Sequence, residues 1–203
     1  RMAAAEAAQT EHGVIVQDTA WDGYEEIPSW IMQGYGTMAN EAADQLRQCS
    51  VNRPTHVFVQ AGVGSLAGAV VGYFANLFPN DPPIMAGLAC GEPNTISWDI
   101  LRNHVSAFIS CPDWVSAKGM RMLSSPVKGD PRVVSGESGA VGMGVLDAIM
   151  CDDTYKELRD ALELDRHSRV LMFSTEGNTD PEKYRRVVWD GEYPTDDTPQ
   201  EPC

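Results

Sequence analysis

Short apolar runs alternate with longer segments of helical periodicity along the chain. Runs rich in β-branched residues predict strands at Val14–Asp18, Thr55–Gln60, Ser106–Cys111 and Arg169–Ser174. Between them, apolar positions at a spacing of three and four residues predict helices. These are expected at Ile27–Cys49, from the glycine turn to Phe78, from Ile84 onward, and at Ile96–His104, Trp114–Leu123, Gly139–Cys151 and Tyr155–Leu164. An Ala-rich helix is expected before the first strand.

This alternation indicates the fold class. Strands that are apolar along their whole length are buried on both faces, and strands that alternate with helices pair in parallel. We therefore expect an α/β protein with an open, mostly parallel sheet covered by helices on both faces.

Charge and composition limit the partners. The 203 residues have a formal net charge of −14, which argues against nucleic acid or an anionic membrane as the main partner. No apolar run is long enough to predict a membrane span. The five cysteines and four histidines lack metal-ligand spacing, so no metal site is expected, and the scattered cysteines suit the reducing cytoplasm.

The glycine-rich segment QAGVGSLAG, Gln60–Gly68, is the sharpest candidate for chemistry. It lies between a predicted strand and a predicted helix, where the N–H groups of residues 62–66 can converge on an anion at the helix start. Ser65 offers an additional hydroxyl. The third glycine comes one residue too late for a dinucleotide-binding fingerprint. This spacing favours a turn that binds the phosphate of another cofactor. The structural alternative is a tight turn that binds no ligand.

Three further residues lie where ligands of α/β sheets collect, at the ends of predicted strands or at the start of a small-residue helix. Asp18 ends the first predicted strand and could exchange a proton with a ligand, although an aspartate here could equally cap a turn. Ser174 ends the last predicted strand, and Ser138 lies in SGESGAVGMG. Either hydroxyl could contact the edge of a planar ligand, but a polar loop and close helix packing explain them as well.

Five blocks of the sequence together resemble one enzyme family. They are VQDTAWDGYEEIPSWIMQGYGTMANEA, THVFVQAGVGSLAGAVVGY, IMAGLACGEPN, VVSGESGAVGMGVL and FSTEGNTDPEKYRRVVW. Their residues and their order along the chain resemble those of the diaminopropionate ammonia-lyases, a branch of the fold-type II pyridoxal phosphate (PLP) enzymes. The resemblance extends over nearly the whole chain but covers only the C-terminal half of the family's chain.

The resemblance implies a homodimeric enzyme that converts 2,3-diaminopropionate to pyruvate and ammonia with PLP as electron sink. It places the cofactor phosphate on Gly62, Val63, Gly64, Ser65 and Leu66. It makes Asp18 the acid–base residue for the D isomer, and it assigns the pyridine nitrogen to Ser174 or, by analogy with related sulfhydrylases, to Ser138. Residues 1–83 would then form part of the PLP-binding large domain, and residues 84–203 the remainder of that domain with a C-terminal extension.

Two family features have no counterpart in the sequence. None of the four lysines lies in the motif of the Schiff-base lysine, and about thirty family residues are absent where Pro83 meets Ile84. We therefore expect this chain to be inactive by itself. A serine or threonine dehydratase-like enzyme and a non-catalytic module that binds phosphate or PLP are the alternatives.

Overall fold

The structure is a computed structural model that describes residue 7 and residues 9–88 and 94–194. Its central feature is a four-stranded parallel sheet in the order β3-β2-β1-β4. The strands are β1 (His56–Gln60), β2 (Ile84–Leu88), β3 (Ala107–Ile109) and β4 (Val170–Met172). In register, Phe58 pairs with Ala86 and with Met172, and Gly87 pairs with Phe108. The predicted open, parallel α/β architecture is confirmed.

Seven α-helices precede, connect or follow these strands within the described residues. They are α1 (Glu26–Gln48), α2 (Ser65–Leu77), α3 (Thr95–His104), α4 (Asp113–Ser124), α5 (Glu137–Cys151), α6 (Lys156–Ala161) and α7 (Pro181–Val188). A short 3-10 turn, Asp153–Tyr155, precedes α6. None of the described helices is both long and apolar enough to cross a membrane.

Strand β1 is the centre of the core, and successive side chains point to opposite faces of the sheet. Val57 and Val59 are buried in a cluster with residues of α1, α2 and α3, including Phe74. Phe58 points the other way and packs with α4 and α5 residues such as Val145. Helices therefore cover both faces, which explains why the three central residues of β1, Val57–Val59, are all apolar.

Two sequence predictions about elements are wrong. Val14–Asp18 is not a strand, and Val14 and Val16 are 70% and 71% exposed. The hydrogen-bond partner of its main chain at residues 15 and 17 is the Tyr24 hydroxyl. Ile84 begins strand β2 rather than a helix. Five apolar residues after two prolines fit either element by periodicity, and pairing with β1 decides for the strand.

The C-terminal region holds a helix that the sequence analysis did not predict. In α7 the Asp180 carboxylate accepts a hydrogen bond of 3.0 Å from the Lys183 main-chain N–H, and Pro181 begins the helix. An acidic N-cap followed by proline is a recognisable start signal. The Ala-rich helix expected at the start and the polar C-terminal tail fall almost entirely outside the described residues.

Candidate functional site

The glycine turn after β1 presents free backbone donors. Gly64 is the N-cap of α2, with φ 103° and ψ −6°, and no side chain of the described residues caps the helix. The first bond of the helix runs from the Gly68 N–H to the Gly64 carbonyl, 2.7 Å. The N–H groups of residues 65–67 therefore lack intrahelical acceptors, and they lie at the positive end of the helix dipole. This is the geometry of an anion site.

Glycine at position 64 is required by both conformation and space. Its positive φ is strained for any residue with a Cβ, and a Cβ built there would lie 2.7 Å from the Ser97 Oγ. The start of α3 also contacts the turn directly, because the Asn94 N–H donates to the Val63 carbonyl at 2.6 Å. The turn is thus held from the side by α3.

Asp18 lies beside the same turn, although it does not end a strand. Its main-chain carbonyl accepts hydrogen bonds from the Ser65 Oγ at 2.7 Å and from the Asn94 Nδ2 at 2.6 Å. Asn94 Nδ2 also donates to Ser65 Oγ at 2.9 Å. The expected proximity of Asp18 to the glycine turn is therefore present, but it comes from a side-chain network. The Ser65 hydroxyl is buried and already engaged in this network.

The two candidate serines lie close together at the start of α5. Ser174 Oγ donates to the buried Ser135 Oγ at 2.8 Å. The Ser138 N–H donates to the Glu176 Oε2 at 2.9 Å, and the Gly136 N–H donates to the Glu176 carbonyl at 2.9 Å. The segment after β4 is thereby joined to the N-terminus of α5. Both Ser138 and Ser174 keep exposed side chains.

The glycines of the small-residue cluster have a packing role. A Cβ at Gly144 of α5 would lie 1.9 Å from the Val115 carbonyl oxygen of α4, so these two helices approach closely only because the side chain is missing. Close helix packing, the structural alternative for this cluster, therefore explains Gly144. It does not account for Ser138, which is exposed and lines an open cavity.

That cavity, of about 650 Å³, opens at the carboxyl ends of β1 and β3. It is lined by residues of the glycine turn, of α4, α5 and α7 and of the C-terminal segment, among them Gln60, Gly62, Cys111, Ser138 and Lys183. The Gln60 Nε2 reaches across to the Phe173 carbonyl at 2.9 Å, which joins the ends of β1 and β4. Gly62 and Ser138 therefore share one space, whereas Ser174 lines a separate groove beside α1.

Two titratable groups of the cavity are perturbed. A hydrogen bond of 3.3 Å to the Tyr193 hydroxyl, with help from nearby carboxylates such as Glu137, raises the pKa of Lys183. Burial, and then the negative charge of Asp113, raises the pKa of the Cys111 thiol. Lys183 is thus held as a cation and Cys111 as a neutral thiol.

Within the described residues no three His, Cys, Asp or Glu side chains are placed to bind a metal ion.

Sequence reasoning missed three residues that organise this region: Asn94, Ser135 and Glu176. All three lie in quoted motifs, but polar residues outside regular elements give no periodic signal. Asn94 bonds Asp18, which is 76 residues away along the chain, and Ser135 bonds Ser174, which is 39 residues away. Only the folded arrangement shows these contacts.

Comparisons with known proteins identify the class of fold. No protein-family model matches the chain. Threonine deaminase isoform 2 of Solanum lycopersicum superposes with a TM-score of 0.59 at 15% identity, covering 78% of this chain and 49% of that one. At this identity the likeness concerns the fold alone. Together with the parallel sheet, it shows the fold of the fold-type II PLP enzymes.

Within this class the chain is similar to the diaminopropionate ammonia-lyases. It is 46% identical to that of Escherichia coli K12 over 215 residues, with 90% of this chain and 54% of the relative covered. The Salmonella typhimurium protein of the same name is 45% identical, with 91% and 54% covered. The Escherichia coli enzyme in complex with an aminoacrylate-PLP azomethine intermediate superposes with a TM-score of 0.88 at 44% identity, covering 94% of this chain and 56% of that one. The resemblance noted in the sequence is confirmed, and the chain spans about half the length of the curated relatives it matches.

Proposed function

We propose that this chain forms the phosphate-binding side of a PLP-dependent carbon–nitrogen lyase that eliminates ammonia from 2,3-diaminopropionate to give pyruvate. The observation that carries the proposal is the uncapped N-terminus of α2 behind Gly64, with Asp18 hydrogen-bonded to its first residue. Similarity to the diaminopropionate ammonia-lyases at 46% identity supports the choice of substrate.

The residues present are suited to PLP. The free N–H groups at the start of α2 are the donors that a phosphate requires, and a Cβ at Gly62 would meet only open space, so a ligand can approach the backbone there. When bound, PLP supplies the electron sink that stabilises negative charge at the substrate Cα. The proposed phosphate ligands are Gly62, Val63, Gly64, Ser65 and Leu66; for Ser65 the main-chain N–H is the donor, because its hydroxyl already bonds Asp18.

Two chain residues would act on the substrate side and the ring side of the cofactor. The Asp18 carboxylate would take or return the Cα proton of the D isomer, since its main chain is fixed at the phosphate turn. A serine hydroxyl would bond the pyridine nitrogen. Ser174 is supported by its position after β4 and its bond to Ser135, and Ser138 by the cavity it shares with Gly62. Both remain candidates.

The proposed enzyme needs a Schiff-base lysine that this chain does not supply. Lys118 of α4 is paired with the largely covered Asp147 of α5, and Lys156 is paired with Asp160 on the exposed face of α6. Lys183 lines the cavity, but its raised pKa opposes the neutral amine that attacks an aldehyde. The lysine would come from the part of the relatives that this chain does not match, so the chain alone should be inactive.

A chimera tests the proposal. The matched half of the Escherichia coli relative is replaced by this chain, and pyruvate release is measured from D- and L-diaminopropionate and from serine, with each half alone as control. We expect release from diaminopropionate by the chimera only. Serine as the much better substrate would favour the dehydratase alternative, and a folded chimera that binds PLP but releases no pyruvate would favour the non-catalytic module.

The proposal also includes a homodimer in the cytoplasm. The resemblance to the family supports the homodimer, and large exposed apolar side chains such as Trp30 and Trp189 offer surface for association. Free thiols at Cys49, Cys111 and Cys151 are compatible with a reducing compartment. Sedimentation of the chimera at several concentrations tests the dimer, with a monomer at all concentrations as the contradicting result.

A further inference from the structure

Asn94 makes more hydrogen bonds than its place at the start of a helix requires. Its Oδ1 accepts from the Ile96 N–H at 2.9 Å, which is the usual N-cap of α3. Its Nδ2 donates to the Asp18 carbonyl at 2.6 Å and to the Ser65 Oγ at 2.9 Å, and its main-chain N–H donates to the Val63 carbonyl at 2.6 Å. The side chain is fully buried. One residue therefore connects three segments.

We infer that Asn94 is a positioning residue, which holds the backbone of Asp18 against the first turn of α2 and so fixes the acid–base carboxylate relative to the phosphate site. This inference rests on the proposed function, because it gives Asp18 and the turn their roles. The choice of side chain supports it. Serine, threonine and aspartate also cap helices, but only the amide of asparagine adds two N–H donors to the capping oxygen.

The local geometry explains what the connection does. Among the described residues no strand pairs with the segment of Asp18; its main chain is held by a bridge between Trp21 and Tyr24 and by the Tyr24 hydroxyl. In the part of the chain that the structure describes, the hydrogen bonds that attach it to the glycine turn are those from Asn94 and Ser65 to one carbonyl. Loss of the amide donors would leave the Ser65 hydroxyl alone, and the segment would separate from the turn more often.

Substitution by serine separates positioning from capping. Asn94→Ser keeps an oxygen that can cap α3 but cannot supply both side-chain N–H bonds, whereas Asn94→Ala removes both functions. Asn103→Ser is the matched control, because the exposed Asn103 lies on the same helix and its Nδ2 donates to the Asp99 carbonyl within α3. All variants are made in the 203-residue chain.

Two measurements are made on each variant. Amide hydrogen exchange of Gln17, Trp21 and Tyr24 reports the order of the Asp18 segment without any cofactor. Binding of PLP and of pyridoxal, followed by fluorescence, reports the phosphate turn. We expect exchange to rise about tenfold in Asn94→Ser. We expect PLP to bind about threefold more weakly or worse, with pyridoxal unchanged. The Asn103→Ser control should match the unmodified chain in both.

The outcomes separate this inference from the proposed function. Exchange and PLP affinity of Asn94→Ser equal to those of the control would overturn the inference while leaving the phosphate site intact. Unaltered PLP affinity despite faster exchange would also overturn it, since Asn94 would then order the segment without positioning it at the turn. If the unmodified chain binds pyridoxal as tightly as PLP, the proposed phosphate site fails, and the inference about positioning fails with it.

Discussion

Replacing Gly64 by alanine tests whether the turn after β1 has the strained geometry on which the anion site depends. At φ 103° a Cβ costs about 1–2 kcal/mol of backbone strain. The same Cβ would lie 2.7 Å from the buried Ser97 Oγ, which now donates to the Asn94 carbonyl at 3.0 Å. Moving that hydroxyl forfeits a hydrogen bond of about 1 kcal/mol. We therefore expect Gly64→Ala to lower the free energy of unfolding by about 2–3 kcal/mol.

Urea denaturation of the 203-residue chain measures this loss, and Gly62→Ala provides the control. Gly62 lies in the same turn, but its φ is not in the left-handed region and a Cβ there meets nothing within 4 Å. Its substitution should change the free energy of unfolding by less than about 0.5 kcal/mol.

The double variant Gly64→Ala with Ser97→Ala separates the two costs. Without the Ser97 hydroxyl the close contact disappears, so only the backbone strain of about 1–2 kcal/mol should remain beyond the effect of Ser97→Ala alone. If Gly64→Ala is as stable as Gly62→Ala, the positive φ at Gly64 is wrong, and the reasoning that places free N–H groups at the start of α2 is refuted.

Three further predictions concern the site. In the chimera, Asp18→Asn should slow turnover of D-diaminopropionate at least about tenfold more than that of the L isomer, because one carboxylate approaches one face of a planar intermediate; equal slowing contradicts the role. Glu176→Ala should lower the free energy of unfolding by about 1 kcal/mol, because the Ser138 N–H loses its acceptor. Glu176→Gln keeps an acceptor oxygen and should retain most of that stability. Equal losses for the two variants in urea denaturation would argue against the bond. At pH 8 iodoacetamide should modify Cys111 more slowly than the exposed cysteines, because the raised pKa of Cys111 leaves less thiolate. Asp113→Asn removes a negative charge and should speed the modification of Cys111. A Cys111 that reacts first would contradict the raised pKa.

The sequence predicted the parts of the fold whose signals are local. The centre of strand β1 is apolar at consecutive positions because both faces are covered, and the glycine turn that follows the strand is recognisable from its spacing. The prediction failed at Val14–Asp18, where β-branched residues occur but no strand of the described ranges pairs with them. It failed at Ile84 because a run of five apolar residues fits a strand or a helix until its partner is known.

The candidate site was predicted in its anchors but not in its connections. Gly64 and Asp18 could be singled out from motifs, and the structure brings them to one place. Asn94 and Glu176 could not, because their role consists of contacts between segments that are distant in sequence. Hydrogen bonds between irregular segments follow no period, so no pattern along the chain indicates them.

The most direct test of the phosphate site is an NMR titration of the 203-residue chain with PLP and, in parallel, with pyridoxal. If the start of α2 holds the phosphate, PLP shifts the amide signals of residues 62–66 before any others, and pyridoxal leaves them in place. Identical shifts from both compounds, or PLP signals confined to another part of the chain, would contradict the account.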